Sequence, residues 1–475
     1  MAETQGRVTM AETKADVVVV GVGVAGEHLA GRLAEEGLDV VAVEAELVGG
    51  ECPYWACVPT KMMVRAAGLV AEARRIPGLA GEADVRPSFA AVAGRIRQEA
   101  TDDWNDQVAA DRLTSKGCRV LRGHARLTGP GRVTVTPAGG SDQDEQRISA
   151  RRGIVLATGS TPQEPPVPGL DAVPYWTNRQ AVAATEPPRS LLVLGGGPIG
   201  LEMAQVFARF GSEVTVVEAG HRLLPHEEPE SGELIEQVLS DEGVTVRAGA
   251  RATRVSHDGD PDGGTFTLTL ADGSTLSAER LLVATGRRAR LAGLGVESAG
   301  LDPNARAIAV DGRMRVVPGL WAVGDVTGKG MFTHVAMYQA EIAVRDILGQ
   351  GGPEADYRAL PRVTFTDPEI GAAGLTEAQA RERGINVRTG TAQLPSSSRG
   401  WIHKAGNQGF IKLVVDAERN VLVGATSAGP AGGEILYGLA VAVQAEVPVS
   451  TLAHMIYAYP TFHRAVEVAL ADLSG

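Results

Sequence analysis

Twice along this chain a strand of buried character runs into a glycine-rich turn, a helix follows, and a second strand closes on an acid. Val17-Val18-Val19-Val20 leads into Gly21-Val22-Gly23-Val24-Ala25-Gly26, a helix pattern carries Leu29 and Leu33, and Val40-Val41-Ala42-Val43 ends in Glu44. Ser190-Leu191-Leu192-Val193-Leu194 leads likewise into Gly195-Gly196-Gly197-Pro198-Ile199-Gly200, a helix over 201–210, and Glu213-Val214-Thr215-Val216-Val217 ending in Glu218. An unbroken apolar strand belongs in a parallel sheet covered on both faces. A lone G-x-G-x-x-G is weak evidence, but with strand, helix, second strand and terminal acid in register it is strong. Gly21, Gly23 and Gly26 let the backbone approach a pyrophosphate at the helix N-terminus, and Glu44 can accept from ribose hydroxyls. Gly195, Gly197, Gly200 and Glu218 repeat those roles. The competing reading, a glycine-rich turn beside an exposed acid, leaves the register unexplained. The pattern predicts an α/β fold with two dinucleotide sites.

Immediately after the first unit comes Gly49-Gly50-Glu51-Cys52-Pro53-Tyr54-Trp55-Ala56-Cys57-Val58-Pro59-Thr60-Lys61. A close cysteine pair at a helix start can store two electrons as a disulfide, because the helix N-terminus favours the reactive thiolate. The alternative is a packing disulfide or two inert buried thiols. Structural disulfides are rare in chains without secretion signals, so the redox reading is favoured. With two nucleotide sites and one redox pair, FAD at the first site and a nicotinamide at the second is the economical arrangement. Hydride would pass from nicotinamide to flavin and then to the cysteines. An acid at the position of Glu218 favours the free 2′-hydroxyl of NADH over the 2′-phosphate of NADPH, although His221 and Arg222 follow closely.

At 475 residues the chain has room for about three domains of ordinary size. It is 44% hydrophobic and 21% charged, as expected of a globular protein with ample core. Its third cysteine, Cys118, lies in the strand-like run Gly117-Cys118-Arg119-Val120-Leu121 and reads as packing. A net charge of -12 disfavours nucleic acid or an anionic membrane as partner. There is no apolar signal region behind basic residues and no apolar stretch of the roughly 20 residues that a span requires. Met1-Ala2-Glu3-Thr4 recurs as Met10-Ala11-Glu12-Thr13, so residues 1–13 are expected to be a disordered extension. A cytoplasmic location is expected.

These motifs resemble the class I pyridine nucleotide–disulfide oxidoreductases, which include dihydrolipoamide dehydrogenase, glutathione reductase and mercuric reductase. The resemblance runs from Ala15 to Ala471. Val155-Leu156-Ala157-Thr158-Gly159-Ser160 is similar to the strand re-entering the flavin region, and Leu282-Val283-Ala284-Thr285-Gly286-Arg287 to its nicotinamide counterpart. Leu320-Trp321-Ala322-Val323-Gly324-Asp325 resembles the segment whose aspartate holds the flavin ribityl chain. Phe332-Thr333-His334-Val335-Ala336 resembles the helix start that faces the flavin pyrimidine ring, and Pro361-Arg362-Val363-Thr364-Phe365-Thr366-Asp367-Pro368-Glu369 the opening of a dimerisation domain. The resemblance implies two Rossmann-like dinucleotide-binding domains plus a C-terminal α+β dimerisation domain. FAD would take residues 14–160 and 287–350, the nicotinamide 161–286, and the interface of an obligate homodimer 357–475. By the same resemblance Cys57 is the sulfur nearest the flavin and Cys52 the interchange thiol. Lys61 sits beside flavin N5 with Glu202 as its ion-pair partner; a fixed cation there stabilises reduced, anionic flavin. Ala125, Gly159, Asp325, Ala336 and Gly286 join the cofactor-binding residues. No metal site is expected.

One departure stands out. Where disulfide reductases of this family carry a histidine before Pro-Thr and a glutamate five residues later, this chain reads Tyr459-Pro460-Thr461 and Arg464. Tyrosine has an ordinary pKa of about 10 against about 6.5 for histidine, so a phenol is a poor base at neutral pH. Losing a positioned base costs about 10²–10⁴ in rate. Tyr459 could still donate to an acceptor such as a quinone. His463 would need a changed backbone path to substitute, and His454 reads as structural. Mercuric reductases place a tyrosine near this point but add C-terminal cysteines, which Ala469-Leu470-Ala471-Asp472-Leu473-Ser474-Gly475 lacks. Soluble transhydrogenases share a Tyr-Pro-Thr and a Trp like Trp55 but lack the second cysteine. Tyr54 and Trp55 read as packing, or as a stacking surface for a planar acceptor. The expected activity is electron transfer from NAD(P)H to a non-standard small-molecule acceptor, a quinone or small disulfide. Ordinary dihydrolipoamide dehydrogenase and a slow nucleotide-sensing flavoprotein are the alternatives.

Overall fold

A computed structural model describes residues 12–260 and 263–473. The expected N-terminal extension lies, except for Glu12 and Thr13, outside the described residues, and Thr13 already opens the first strand. The chain forms two compact units, the first built from residues 12–59, Arg95–Gln163 and Arg287–Ala355.

In the first unit five strands run parallel in the order Leu320–Ala322, Gln146–Leu156, Thr13–Val20, Val40–Glu44, Arg119–Gly129. The two longest, Gln146–Leu156 and Arg119–Gly129, extend past the parallel layer and pair antiparallel with Arg132–Pro137. The valine run explains the layering. Alternate side chains point to opposite faces of a strand, so Val17 and Val19 pack with Leu29, Leu33, Ala340 and Val344 on one face. Val18 and Val20 pack with Leu127, Val133, Leu291 and Val296 on the other. All four valines are at most 5% exposed, as a doubly covered strand requires.

The second unit comprises Thr60–Gly94, Glu164–Gly286 and residues 356–473. The helix Cys57–Arg74 begins in the first unit and continues into this one. A four-stranded parallel sheet carries Arg280–Val283, Ser190–Leu194, Glu213–Val217 and Thr245–Arg247 in that order. An antiparallel sheet of Ala252–Asp258, Thr265–Leu270 and Thr275–Ala278 packs Phe266 and Leu268 against Leu192 and Leu281. The C-terminal part is a five-stranded antiparallel sheet, Pro361–Thr364, Glu369–Gly374, Val421–Gly429, Phe410–Asp416, Val387–Gln393, with the helices Gly432–Gln444 and Ala465–Asp472 packed on it.

Ion pairs join the parts of this unit. Lys412 Nζ, buried, lies 3.0 Å from Glu228, 2.7 Å from Glu230 and 3.1 Å from Glu377. Burial opposes its charge, but the three carboxylates hold its pKa well above the ordinary lysine value. Arg209, also buried, bridges Glu242 and Asp367. Removing one member of such a cluster strands the others without compensation. Lys412→Met is expected to lower unfolding free energy by about 3–5 kcal/mol, read as a drop in the urea midpoint of the flavin-loaded protein.

Candidate functional site

Each glycine turn is shaped by approach distances that only glycine allows. Gly21 has φ +88°, and a Cβ there would lie 2.5 Å from the Ala157 carbonyl oxygen. A Cβ on Gly26 would lie 2.0 Å from the Gly21 oxygen. The second turn repeats both contacts: Gly195, at φ +117°, abuts Ala284 at 2.4 Å, and Gly200 abuts Gly195 at 2.2 Å. At Gly23 and Gly197, by contrast, a Cβ would meet nothing closer than 3.8 Å. The first and third glycines therefore close strand, turn and helix together, while the second leaves backbone open toward the helix N-terminus. That is the surface a pyrophosphate needs.

The strand-end acids do something the sequence pattern did not reveal. Glu44 accepts from the Val22 N–H at 2.6 Å and from Glu46 N–H at 2.8 Å. Glu218 accepts from Gly196 N–H at 2.7 Å and Gly220 N–H at 2.6 Å. In both units the carboxylate braces the middle of its own glycine turn. Burial raises the Glu44 pKa despite these hydrogen bonds.

Further along the first unit, Ser160 Oγ donates to Asp325 Oδ2 at 2.6 Å, and Arg287 donates to Ser160 Oγ at 2.9 Å and to its carbonyl at 2.8 Å. Burial pushes the Asp325 pKa up, against the pull of Ser160 and Arg287. Beside them Thr158 Oγ1 is buried with no hydrogen-bond partner. Gly159 has φ +65° and open space where a side chain would stand. An orphaned buried hydroxyl, an open glycine and a buried acceptor in one cradle suit a polar cofactor, and FAD fits it. Ala125 lies in strand Arg119–Gly129, and Ala336 is buried in the first turns of helix Thr333–Ile347. Gly286, at φ +110°, is the equally open counterpart of Gly159 in the second unit.

The cysteine segment folds as the short helix Glu51–Tyr54 followed by Cys57–Arg74. Its approach is held by Asp106, which accepts from Val48 N–H at 2.6 Å and pairs with Arg122. Against the penalty of burial, these donors keep the Asp106 carboxyl below its ordinary pKa. Cys57 Sγ lies 3.4 Å from Thr333 Oγ1. Cys52 is half-buried and lines a cavity of about 360 Å³ with Val24, His28, Pro53, Arg112 and Met337. Trp55 stacks on Trp104, with ring centroids 5.1 Å apart and planes at 20°, and Arg97 lies over the Trp104 ring. The contact between Trp55 and Trp104 is not legible in the sequence, since 49 positions separate them.

In the second unit Lys61 Nζ is 2.6 Å from Glu202 Oε2 and 4.7 Å above the Phe365 ring. Glu202 is 4% exposed, and its other oxygen accepts from Phe365 N–H at 2.9 Å. Tyr459 is 68% exposed, its ring 5.5 Å from the Arg464 guanidinium, and the Tyr459–Pro460 bond is cis. His463 Nε2 lies 3.3 Å from Thr461 Oγ1 in the same loop. Among the described residues, no cluster of three or more His, Cys, Asp or Glu side chains could hold a metal ion, and no helix is long and apolar enough to cross a membrane.

This arrangement of two dinucleotide cradles, a cysteine pair and a C-terminal antiparallel domain defines a two-nucleotide redox flavoprotein. Residues 15–340 match the family model described as pyridine nucleotide-disulphide oxidoreductase, and residues 360–470 match its dimerisation domain. The chain is 34% identical to the dihydrolipoyl dehydrogenase of Chlorobaculum tepidum, over 96% of each chain. It is 33% identical to the mercuric reductase of Acidithiobacillus ferrooxidans, over 95% of this chain and 81% of that one. Among solved structures, LpdA of Mycobacterium tuberculosis aligns at TM-score 0.83 and 28% identity, covering 97% of this chain and 99% of its own. RclA of Escherichia coli, an HOCl-induced flavoprotein disulfide reductase, aligns at 0.82 and 28%, covering 96% and 99%. The chain belongs to the pyridine nucleotide-disulphide oxidoreductase family. It is an oxidoreductase that uses FAD and NAD(P)H, and its dimerisation domain supports a homodimer.

Cys118 separates cleanly from the other two thiols. It is 2% exposed, its sulfur 3.2 Å from the Ala30 carbonyl, and burial pushes its pKa up to about 11. At pH 8 only about one part in 10³ of such a thiol is ionised. Iodoacetamide added to the NADH-reduced native enzyme at pH 8 is expected to label Cys52 or Cys57 and leave Cys118 unmodified, as read by peptide mass mapping.

Proposed function

We propose that this enzyme takes hydride from NAD(P)H, with NADH favoured, and delivers two electrons to a small acceptor, a disulfide or a quinone, in the cavity beside Cys52. The observation that carries the reading is the presence of Cys52 in the wall of that cavity, whose volume suits a small molecule. Bound FAD supplies the two-electron relay between nicotinamide and cysteine pair. The chain's own residues then have distinct tasks. Gly21, Gly23 and Gly26, with Glu44, Ala125, Gly159, Asp325 and Ala336, hold the flavin nucleotide. Gly195, Gly197, Gly200, Glu218 and Gly286 hold the nicotinamide nucleotide. Cys57, with the Thr333 hydroxyl beside it, is the flavin-side sulfur, and Cys52 is the sulfur that meets the acceptor. Lys61, oriented by Glu202, supplies the fixed positive charge that reduced flavin requires. Tyr459 completes the set as a donor at the acceptor site. Residues 14–160 and 287–350 form the flavin domain, 161–286 the nicotinamide domain and 357–475 the interface.

A second reading, dihydrolipoamide dehydrogenase, is favoured by the 34% identity to enzymes of that name. Anaerobic titration with NADH, followed by steady-state turnover with lipoamide, a small linear disulfide, glutathione disulfide and a benzoquinone, separates the two. A long-wavelength thiolate–flavin band and turnover of the quinone or linear disulfide above lipoamide is the expected outcome. Brisk lipoamide reduction as the dominant activity would establish the second reading instead.

The dimer has its own test. Tyr437 and Ile456 are 76% and 99% exposed in the C-terminal domain, an unusual display of large apolar surface. Ile456→Glu and Tyr437→Glu are expected to weaken self-association by about 2 kcal/mol or more each, seen as a shift toward monomer in light scattering at micromolar protein.

A further inference from the structure

The C-terminal segment carries Tyr459 and Arg464 rather than a histidine–glutamate pair, yet the structure contains such a pair elsewhere. His28 Nε2 lies 2.5 Å from Glu341 Oε1, although 313 positions separate them. His28 stands on helix Val24–Glu35, which opens at the first glycine turn, and Glu341 on helix Thr333–Ile347, which opens beside Cys57. His28 lines the same cavity as Cys52. Resting on the reading of that cavity as the acceptor site, we infer that His28, oriented by Glu341, is the acid–base residue of acceptor reduction.

The geometry sets the protonation pattern. A carboxylate can only accept, so Nε2 carries the proton toward Glu341 and Nδ1 is left as the basic nitrogen. The acid thereby fixes the tautomer and the orientation of the ring. The remaining charges around the cavity are matched. Arg112 is bonded to Glu27 at 3.0 and 2.5 Å, and Lys116 lies 3.0 Å from Glu35. Of the ionisable groups lining the cavity, Glu27, Arg112 and Lys116 are taken up in ion pairs, which leaves the His28 imidazole, whose free nitrogen can both accept and donate a proton, as the partner for the Cys52 thiol.

For a disulfide acceptor R–S–S–R′ the step balances as follows. In the reduced pair Cys52 passes its thiol proton to His28, and the thiolate attacks one acceptor sulfur. The Cys52–S–S–R bond forms as the acceptor's S–S bond breaks, and the departing R′S⁻ takes the proton from imidazolium. The Cys57 thiolate then attacks the Cys52 sulfur, closing the Cys52–Cys57 disulfide and expelling RS⁻, which is protonated by solvent. The acceptor gains two electrons and the cysteine pair loses two, which NAD(P)H replaces.

His28→Asn and Glu341→Gln in the flavin-loaded enzyme test this. Retained flavin and an unchanged rate of flavin reduction by NADH establish that each variant is folded. Should His28→Asn lose flavin, the half-exposed Glu341→Gln decides alone, because it removes the carboxylate charge that faces Nε2. Iodoacetamide labelling of the NADH-reduced pair against pH is the readout that needs no acceptor. The half-maximal pH is expected to rise by about one unit in the variants, and turnover of oxidised 2-mercaptoethanol and lipoamide to fall about 10²-fold for His28→Asn. Labelling profiles that superimpose on wild type would overturn the inference. A shifted profile in an enzyme whose wild type reduces no disulfide would leave His28 in place and overturn the disulfide reading of the cavity instead.

Discussion

The structure depends on one contact made twice: the third glycine of each turn pressed against the carbonyl of the first. At Gly26 and Gly200 the backbone of the helix is so close to the turn that a single added carbon would overlap an oxygen at 2.0 or 2.2 Å. That approach fixes the angle at which the helix leaves the sheet, and with it the direction of its unpaired N–H groups and dipole. Glu44 and Glu218 reinforce it from the other side, each holding the middle residue of its turn through a backbone N–H. An acid at the strand end therefore serves the fold before it serves any ribose. The helix placed in this way carries His28 to the cavity that Cys52 lines, so the position of that side chain is set by a packing distance.

Buried polar groups carry the rest of the design, because each is costly unless satisfied. Glu202 is nearly inaccessible and spends one oxygen on Lys61 and the other on the Phe365 N–H. The lysine is held in one place as a result, which a solvated side chain could not be. Asp325 is kept by Ser160, and Ser160 by Arg287, while Thr158 Oγ1, two residues before Ser160, is buried without a partner. In the second unit the same logic is structural: Lys412 with three carboxylates, and Arg209 with two, tie segments that are far apart in sequence.

Much of this was legible beforehand wherever the signal is local. Each glycine turn, with the apolar strand before it and the strand-end acid after it, fits within about thirty residues, and the α/β fold with its C-terminal dimerisation domain followed from these units and from the family motifs. Groups assembled by tertiary packing left no such trace. Trp104 finds Trp55 across 49 positions, by way of a backbone with positive φ at Asp102, Asp103 and Trp104 that no motif announces. His28 looked like an ordinary helix residue, and Glu341 like another. The bracing role of Glu44 and Glu218 was hidden because the sequence pattern names a partner for the acid that is a ligand, while the backbone claims it first.

The C-terminal departure acquires a physical meaning from these placements. Arg464 is committed to its own neighbourhood, donating to the Tyr457 carbonyl at 3.2 Å and pairing with Glu467 at 2.9 Å. A guanidinium over the Tyr459 ring cannot orient a base, and a phenol does not accept protons readily near neutral pH. Thiol–disulfide exchange still needs a proton to leave one sulfur and reach another. In the proposed reading that transfer falls to His28 on the helix Val24–Glu35, held by Glu341 on the helix Thr333–Ile347. Under that proposal the flavin unit supplies its own imidazole and carboxylate for proton transfer, and Tyr459 keeps only the role of a hydrogen-bond donor.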